Sequence, residues 1–155
     1  MSKVYTFDFE YDHDYILIGI HTVLEDYRLA YFLNQTLRLS LKRYKEDLDF
    51  PINKCSFPFY IFEDEASFIS WSLISNKYFS NEKSNTDFDS LFEDKLETRY
   101  LIPEKNQVDF FLKINGNILE KKIQKVLTVI KNTNKVITSY TINPNSLKTR
   151  DNLIF

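Results

Sequence analysis

Glycine is nearly missing from this chain, which has only Gly19 and Gly116. Phosphate loops of the Walker or Rossmann kind need several closely spaced glycines, so both are excluded. The single cysteine, Cys55, allows no internal disulfide, which suits a reducing compartment. The two histidines, His13 and His21, flank an apolar run at opposite ends and stand in no metal-ligand spacing. No stretch of about 18 apolar residues occurs, and the first residues carry no apolar signal core. The expectation is a cytoplasmic protein with no cofactor, no metal and no membrane contact.

Aromatic residues, by contrast, are plentiful: 14 Phe, 10 Tyr and 1 Trp in 155 residues, enough to fill the core of one domain. The net charge of −2 hides an asymmetry. Residues 113–150 hold eight Lys/Arg against one acid, Glu120, for a net +7. Residues 1–112 hold 12 basic and 20 acidic residues, for a net −8. Such polarity favours contact between the two halves, between copies, or with an outside partner.

The stretch Ile102 to Phe110 organises the rest. Pro103 fixes its own φ and pushes Ile102 into an extended conformation. Lys105-Asn106-Gln107 is turn-prone. Val108, Phe110, Leu112 and Ile114 then alternate with Asp109, Phe111 and Lys113, the period of a core strand.

Elsewhere, Tyr5, Phe7, Phe9 and Tyr11 alternate with polar residues as a first strand, and Tyr15–Ile20 is a continuous apolar strand. Thr22 to Glu25 has capping-box spacing and predicts a helix from Val23 to Leu37. Leu37, Leu39 and Leu41 alternate, as in a following strand. Residues 57–62 and 69–73 read as a β-hairpin, with Pro58 indicating an edge position. Residues 76–94 are polar and acidic and read as a mobile loop, with one helical turn around Phe88, Leu91 and Phe92. Asn117 to Glu120 again suggests a capping box, and Leu119, Ile123, Val126, Leu127 and Ile130 form a helical stripe. Val136–Ile142 is a last strand, and the tail ending in Leu153-Ile154-Phe155 docks on the core. One-faced helices and alternating strands bury their apolar sides together. The fold class is therefore α+β: a mainly antiparallel sheet in one domain, with two principal helices packed on one face. A ferredoxin-like split with extra strands is the nearest analogy.

Ile102-Pro103-Glu104, three variable residues and Val108-Asp109-Phe110 resemble the signature of the bacterial IPExxxVDY family. Leu17-Ile18-Gly19-Ile20, Glu25 to Ala30 and Leu33-Asn34 are similar to that family too. The resemblance implies no particular activity, because the family has none established. Phe110 stands where most members have Tyr, so a phenol is lacking there and the position suits packing.

Candidate functional residues follow from charge and exposure. Glu104 and Asp109 can form an acid/base pair or cation site, or they can cap the turn and its strand. Asp8, Glu10, Asp12 and Asp14 suit a hard cation, or a solvated strand face that discourages edge pairing. Tyr27 and Arg28 join the signature to the second family-like stretch. Lys121 and Lys122 stand in a helix's first turn, where the dipole disfavours cations, and Lys125 follows on the same face. A solvated lysine face is the favoured account of them, and contact with phosphate or an acidic partner the functional one. Cys55 has no partners for a triad. Together these predict a non-catalytic binding, adaptor or regulatory domain acting through protein–protein contact, including self-association. The alternative is nucleic-acid binding through the basic second helix and tail. Aromatic strands could stack bases, but the accompanying acids would repel a phosphate chain.

Overall fold

The computed structural model describes residues 15–45, 48–50, 55–80 and 97–155. The strand expected at Tyr5–Tyr11, the acids Asp8, Glu10, Asp12 and Asp14, His13, the Cys55 side chain and the turn at Phe88–Phe92 lie outside the described residues.

The chain order is β1 (Tyr15–Thr22), α1 (Asp26–Leu37), β2 (Lys42–Arg43), β3 (Leu48–Phe50), β4 (Cys55–Phe57), β5 (Phe59–Asp64), β6 (Ile69–Ser75), β7 (Lys77–Ser80), β8 (Glu97–Tyr100), β9 (Phe110–Asn115), α2 (Glu120–Lys131) and β10 (Val136–Ile142). Short 3-10 turns cover Pro103–Lys105, Pro144–Ser146 and Arg150–Leu153. Six strands form an antiparallel sheet in the order β10-β1-β9-β6-β5-β2. The pairs β3–β4 and β7–β8 form two small sheets beside it. Within the main sheet, β10-β1-β9-β6 follows the strand order of a ferredoxin-like split, with a helix after β1 and after β9.

Strand alternation divides the core in two. Ile18 and Ile20 of β1, Phe110, Leu112 and Ile114 of β9, and Trp71 and Leu73 of β6 face the helix layer. There they meet Leu29, Ala30 and Leu33 of α1 and Ile123, Val126, Leu127 and Ile130 of α2. Both helices thus pack on one face, as their apolar stripes require. The other face presents Leu17, Phe59, Ile74 and Phe111, and irregular chain covers it: Leu101, Ile102, Val108, Leu147 and Leu153. Each fully buried Leu, Ile or Phe contributes about 1.5–3 kcal/mol, so this unstructured-looking cover is as much a part of the core as the helices.

Several expectations are corrected. Thr22 does not cap a helix, because the sheet claims it: it pairs with Val136 and its Oγ1 donates to the Lys135 carbonyl at 2.8 Å. Helix α1 therefore starts at Asp26, from a Glu25 cap without a side-chain hydrogen bond. Likewise α2 starts at Glu120, and Leu119 is its cap and 76% exposed rather than part of the buried stripe. The strand expected at Leu37–Leu41 does not form there, because α1 runs to Leu37 and Arg38 turns the chain at a φ of 54°; strand begins only at Lys42–Arg43. Residues 77–80 of the expected loop are β7, paired with β8; residues 81–94 lie outside the described set. Val108 packs with Phe111 on the far face rather than with Phe110, because regular strand begins only after Asp109. Lys113 is buried in the sheet and so leaves the exposed basic half.

Candidate functional site

The signature forms a latch at one end of the sheet. Ile102 is extended, Pro103 opens the 3-10 turn, and Lys105 N–H closes onto the Ile102 carbonyl at 3.0 Å. Ile102 and Val108, both fully buried, pin the two ends of the turn to the second face. Inside the loop lies Asn76, also fully buried. Its side-chain amide donates to the carbonyls of Lys105 (2.9 Å) and Val108 (2.8 Å), and its Oδ1 accepts from Ile102 N–H (2.8 Å). Its backbone bonds Asp109 and Leu101 as well. Every polar group of Asn76 is thus used to hold the turn's main chain, as burial demands.

The two signature carboxylates serve different neighbours. Glu104 Oε1 accepts from Thr149 N–H (2.8 Å) and Thr149 Oγ1 (3.0 Å), and so clamps the C-terminal tail. Partial burial pushes the Glu104 carboxyl up, but the bonds from Thr149 and neighbouring backbone outweigh it and leave the group below its ordinary value. Asp109 Oδ2 accepts from Thr22 N–H (2.9 Å), and Oδ1 from Lys77 Nζ (2.6 Å), tying the ends of β1, β7 and β9 together.

Tyr27 and Arg28 lie on the exposed side of α1, over the helix face of the sheet, whereas Glu104 belongs to the cover of the opposite face. What turns inward from that stretch is Asp26, whose Oδ2 accepts from Tyr60 OH (3.1 Å) and Arg43 Nη1 (3.4 Å). Lys121, Lys122 and Lys125 are all exposed on α2, as the stripe on its other side dictates. His21 sits in β1 with Nε2 2.8 Å from Tyr140 OH. Among the described residues, no group of three or more His, Cys, Asp or Glu is placed to hold a metal. No helix among them is long and apolar enough to cross a membrane.

Two features escaped the sequence. Asn76 reads there as one polar residue at the start of a polar loop, and only its burial reveals its role. The second is a cleft of ≈ 660 Å³ at the β2 edge, lined by Lys42, Arg43, Tyr44, Lys45, Ile61 and Glu63. Its signal was a basic run interrupted by a tyrosine, masked when charge was summed over the acidic first 112 residues. Comparison of the chain with protein-family models, curated proteins and solved structures finds no match.

Proposed function

We propose that the chain is an IPExxxVDY-type protein and works by binding, through protein–protein contact at the β10 edge of its main sheet. The observation that carries this reading is β10. It ends the strand order, and among the described residues only β1 pairs with it. Its seven residues, Val136–Ile142, include no charge and no proline, the usual guards of an exposed edge. Ile137 is 71% exposed, and Tyr140 and Thr141 are exposed too. The His21/Thr22 irregularity bends only the start of the strand and leaves residues 138–142 in regular register. An uncharged strand is complementary to itself, so a second copy of the chain, adding antiparallel across a two-fold axis, is the occupant this edge suits best.

Size exclusion with light scattering tests the reading. The wild type is expected to dimerise, and Thr141→Lys with Ile137→Lys to weaken dimerisation by roughly tenfold or more through like charges across the pair. A wild type that stays monomeric to millimolar concentration, or a dimer indifferent to both lysines, overturns it.

Exposure of Lys121, Lys122 and Lys125 together supports the second reading, nucleic-acid binding through α2. That interaction weakens steeply with salt and is lost on reversing the three charges.

A further inference from the structure

The cleft at the β2 edge, on the side of the main sheet opposite β10, combines three cations, one aromatic ring, one aliphatic wall and one carboxylate. It is firmly built. Asn34 of α1 grips Leu41 twice, with its Oδ1 accepting from Leu41 N–H (2.8 Å) and its Nδ2 donating to the Leu41 carbonyl (3.1 Å). Leu41 itself is buried in the core. Lys42 and Arg43 then pair with Ile61 and Tyr60, and Tyr44 N–H donates to the Phe59 carbonyl at 2.9 Å. Pairing places Lys42 on the same side as Ile61, and strand alternation adds Glu63 to that side. The Tyr44 ring stacks on Phe59, centroids 4.9 Å apart and 27° between planes, yet Tyr44 remains 47% exposed. Asp26 holds the Arg43 guanidinium from the helix side. The main chain from Leu41 to Tyr44 is thereby fixed before any ligand arrives, which lowers the ordering cost of binding.

We propose that this cleft binds a small phosphate-bearing ligand with a flat ring, of the nucleotide class. Lys42 and Lys45 supply the positive charge for the phosphates, whereas Arg43 faces the helix side and is already held by Asp26. Tyr44, backed by Phe59, offers a platform for the ring. Glu63 repels phosphate and therefore belongs at the other end, where it accepts from ribose hydroxyls or a ring amino group. The cleft's volume lies within the roughly 300–1,000 Å³ range of small-molecule sites. Side-chain cations hold the phosphates here, in place of the glycine loop that the sequence excludes.

Calorimetric titration with ATP, adenosine and inorganic pyrophosphate, at low and physiological salt, tests the assignment. ATP is expected to bind with one-to-one stoichiometry, and each of the two fragments at least about tenfold more weakly. Lys42→Glu with Lys45→Glu lowers ATP affinity by about tenfold or more, and the milder Lys42→Gln with Lys45→Gln lowers it in the same direction. Circular dichroism confirms that these exposed-site variants stay folded. Lys121→Glu with Lys125→Glu leaves ATP binding unchanged. Absence of ATP binding at millimolar concentration and low salt, pyrophosphate binding equal to that of ATP, or indifference to the glutamine and glutamate pairs overturns the proposal. Because the β10 edge is not involved, none of these outcomes bears on dimerisation.

Discussion

Asn76 shows how much a single polar side chain can decide when it is buried. Two amide hydrogens and one amide oxygen satisfy three main-chain groups of a loop more than 25 residues further on. Water cannot replace the lost partner at a fully buried position, so a change here leaves donors and acceptors unmatched. Asn76→Ala is expected to destabilise the fold by about 2–4 kcal/mol in urea denaturation. Asn76→Asp keeps the shape but removes both donors, and should lose nearly as much. A loss below about 0.5 kcal/mol for either, the scale of an ordinary surface change, would show that Pro103 and the apolar anchors alone hold the turn. Phe110 makes the complementary point. It is buried among helix-face residues, so the ring that the sequence retains there is the part the fold uses.

At the scale of elements, periodicity was legible and boundaries were not. The stripe at Ile123, Val126, Leu127 and Ile130, the β5–β6 hairpin and the alternation within β9 all stand where their apolar spacing places them. The capping box at Thr22 failed because a local hydrogen bond competes there with tertiary partners, and sequence spacing does not reveal those partners. For Thr22 they are Asp109, Val136 and Lys135, all more than 80 residues away. Between β9 and α2, Gly116 turns the chain. Its φ is +125°, and an added Cβ would lie 2.7 Å from the Phe68 carbonyl oxygen and 3.2 Å from Ile69 Cα. Backbone atoms cannot step aside as a side chain can, so Gly116→Ala strains both the dihedral and the β5–β6 turn beside it. A loss of about 1–3 kcal/mol is expected, read as a lowered urea midpoint with unchanged slope. A neutral alanine variant would mean that the turn relaxes freely.

Among the described residues, the main sheet has unequal coats: two helices on one side, and on the other mainly a proline turn and the tail. Periodicity could not reveal the second coat, because its members, Ile102, Val108, Leu147 and Leu153, follow no period. Among the described residues, three polar contacts fasten the tail to the rest, one of them from Asn152 Nδ2 to the Leu101 carbonyl at 2.8 Å. Lys113, buried in β9 with its pKa lowered by desolvation, donates from Nζ to the Leu153 carbonyl at 2.6 Å, between the rings of Tyr15 and Phe155. Glu104 holds Thr149 from the signature turn. The Glu104 carboxyl lies below its ordinary value in the fold, so the folded state favours the charged form. Its contribution is therefore fully present above the unfolded carboxylate value and disappears as pH falls through the depressed folded value. Wild type should exceed Glu104→Gln in stability at neutral pH, with the gap closing through the acid range. Hydrogen exchange should then show residues 147–155 opening ahead of the helix face. A gap that stays constant across that range would mean that Thr149 is held by the shape of the turn and not by the charge of Glu104.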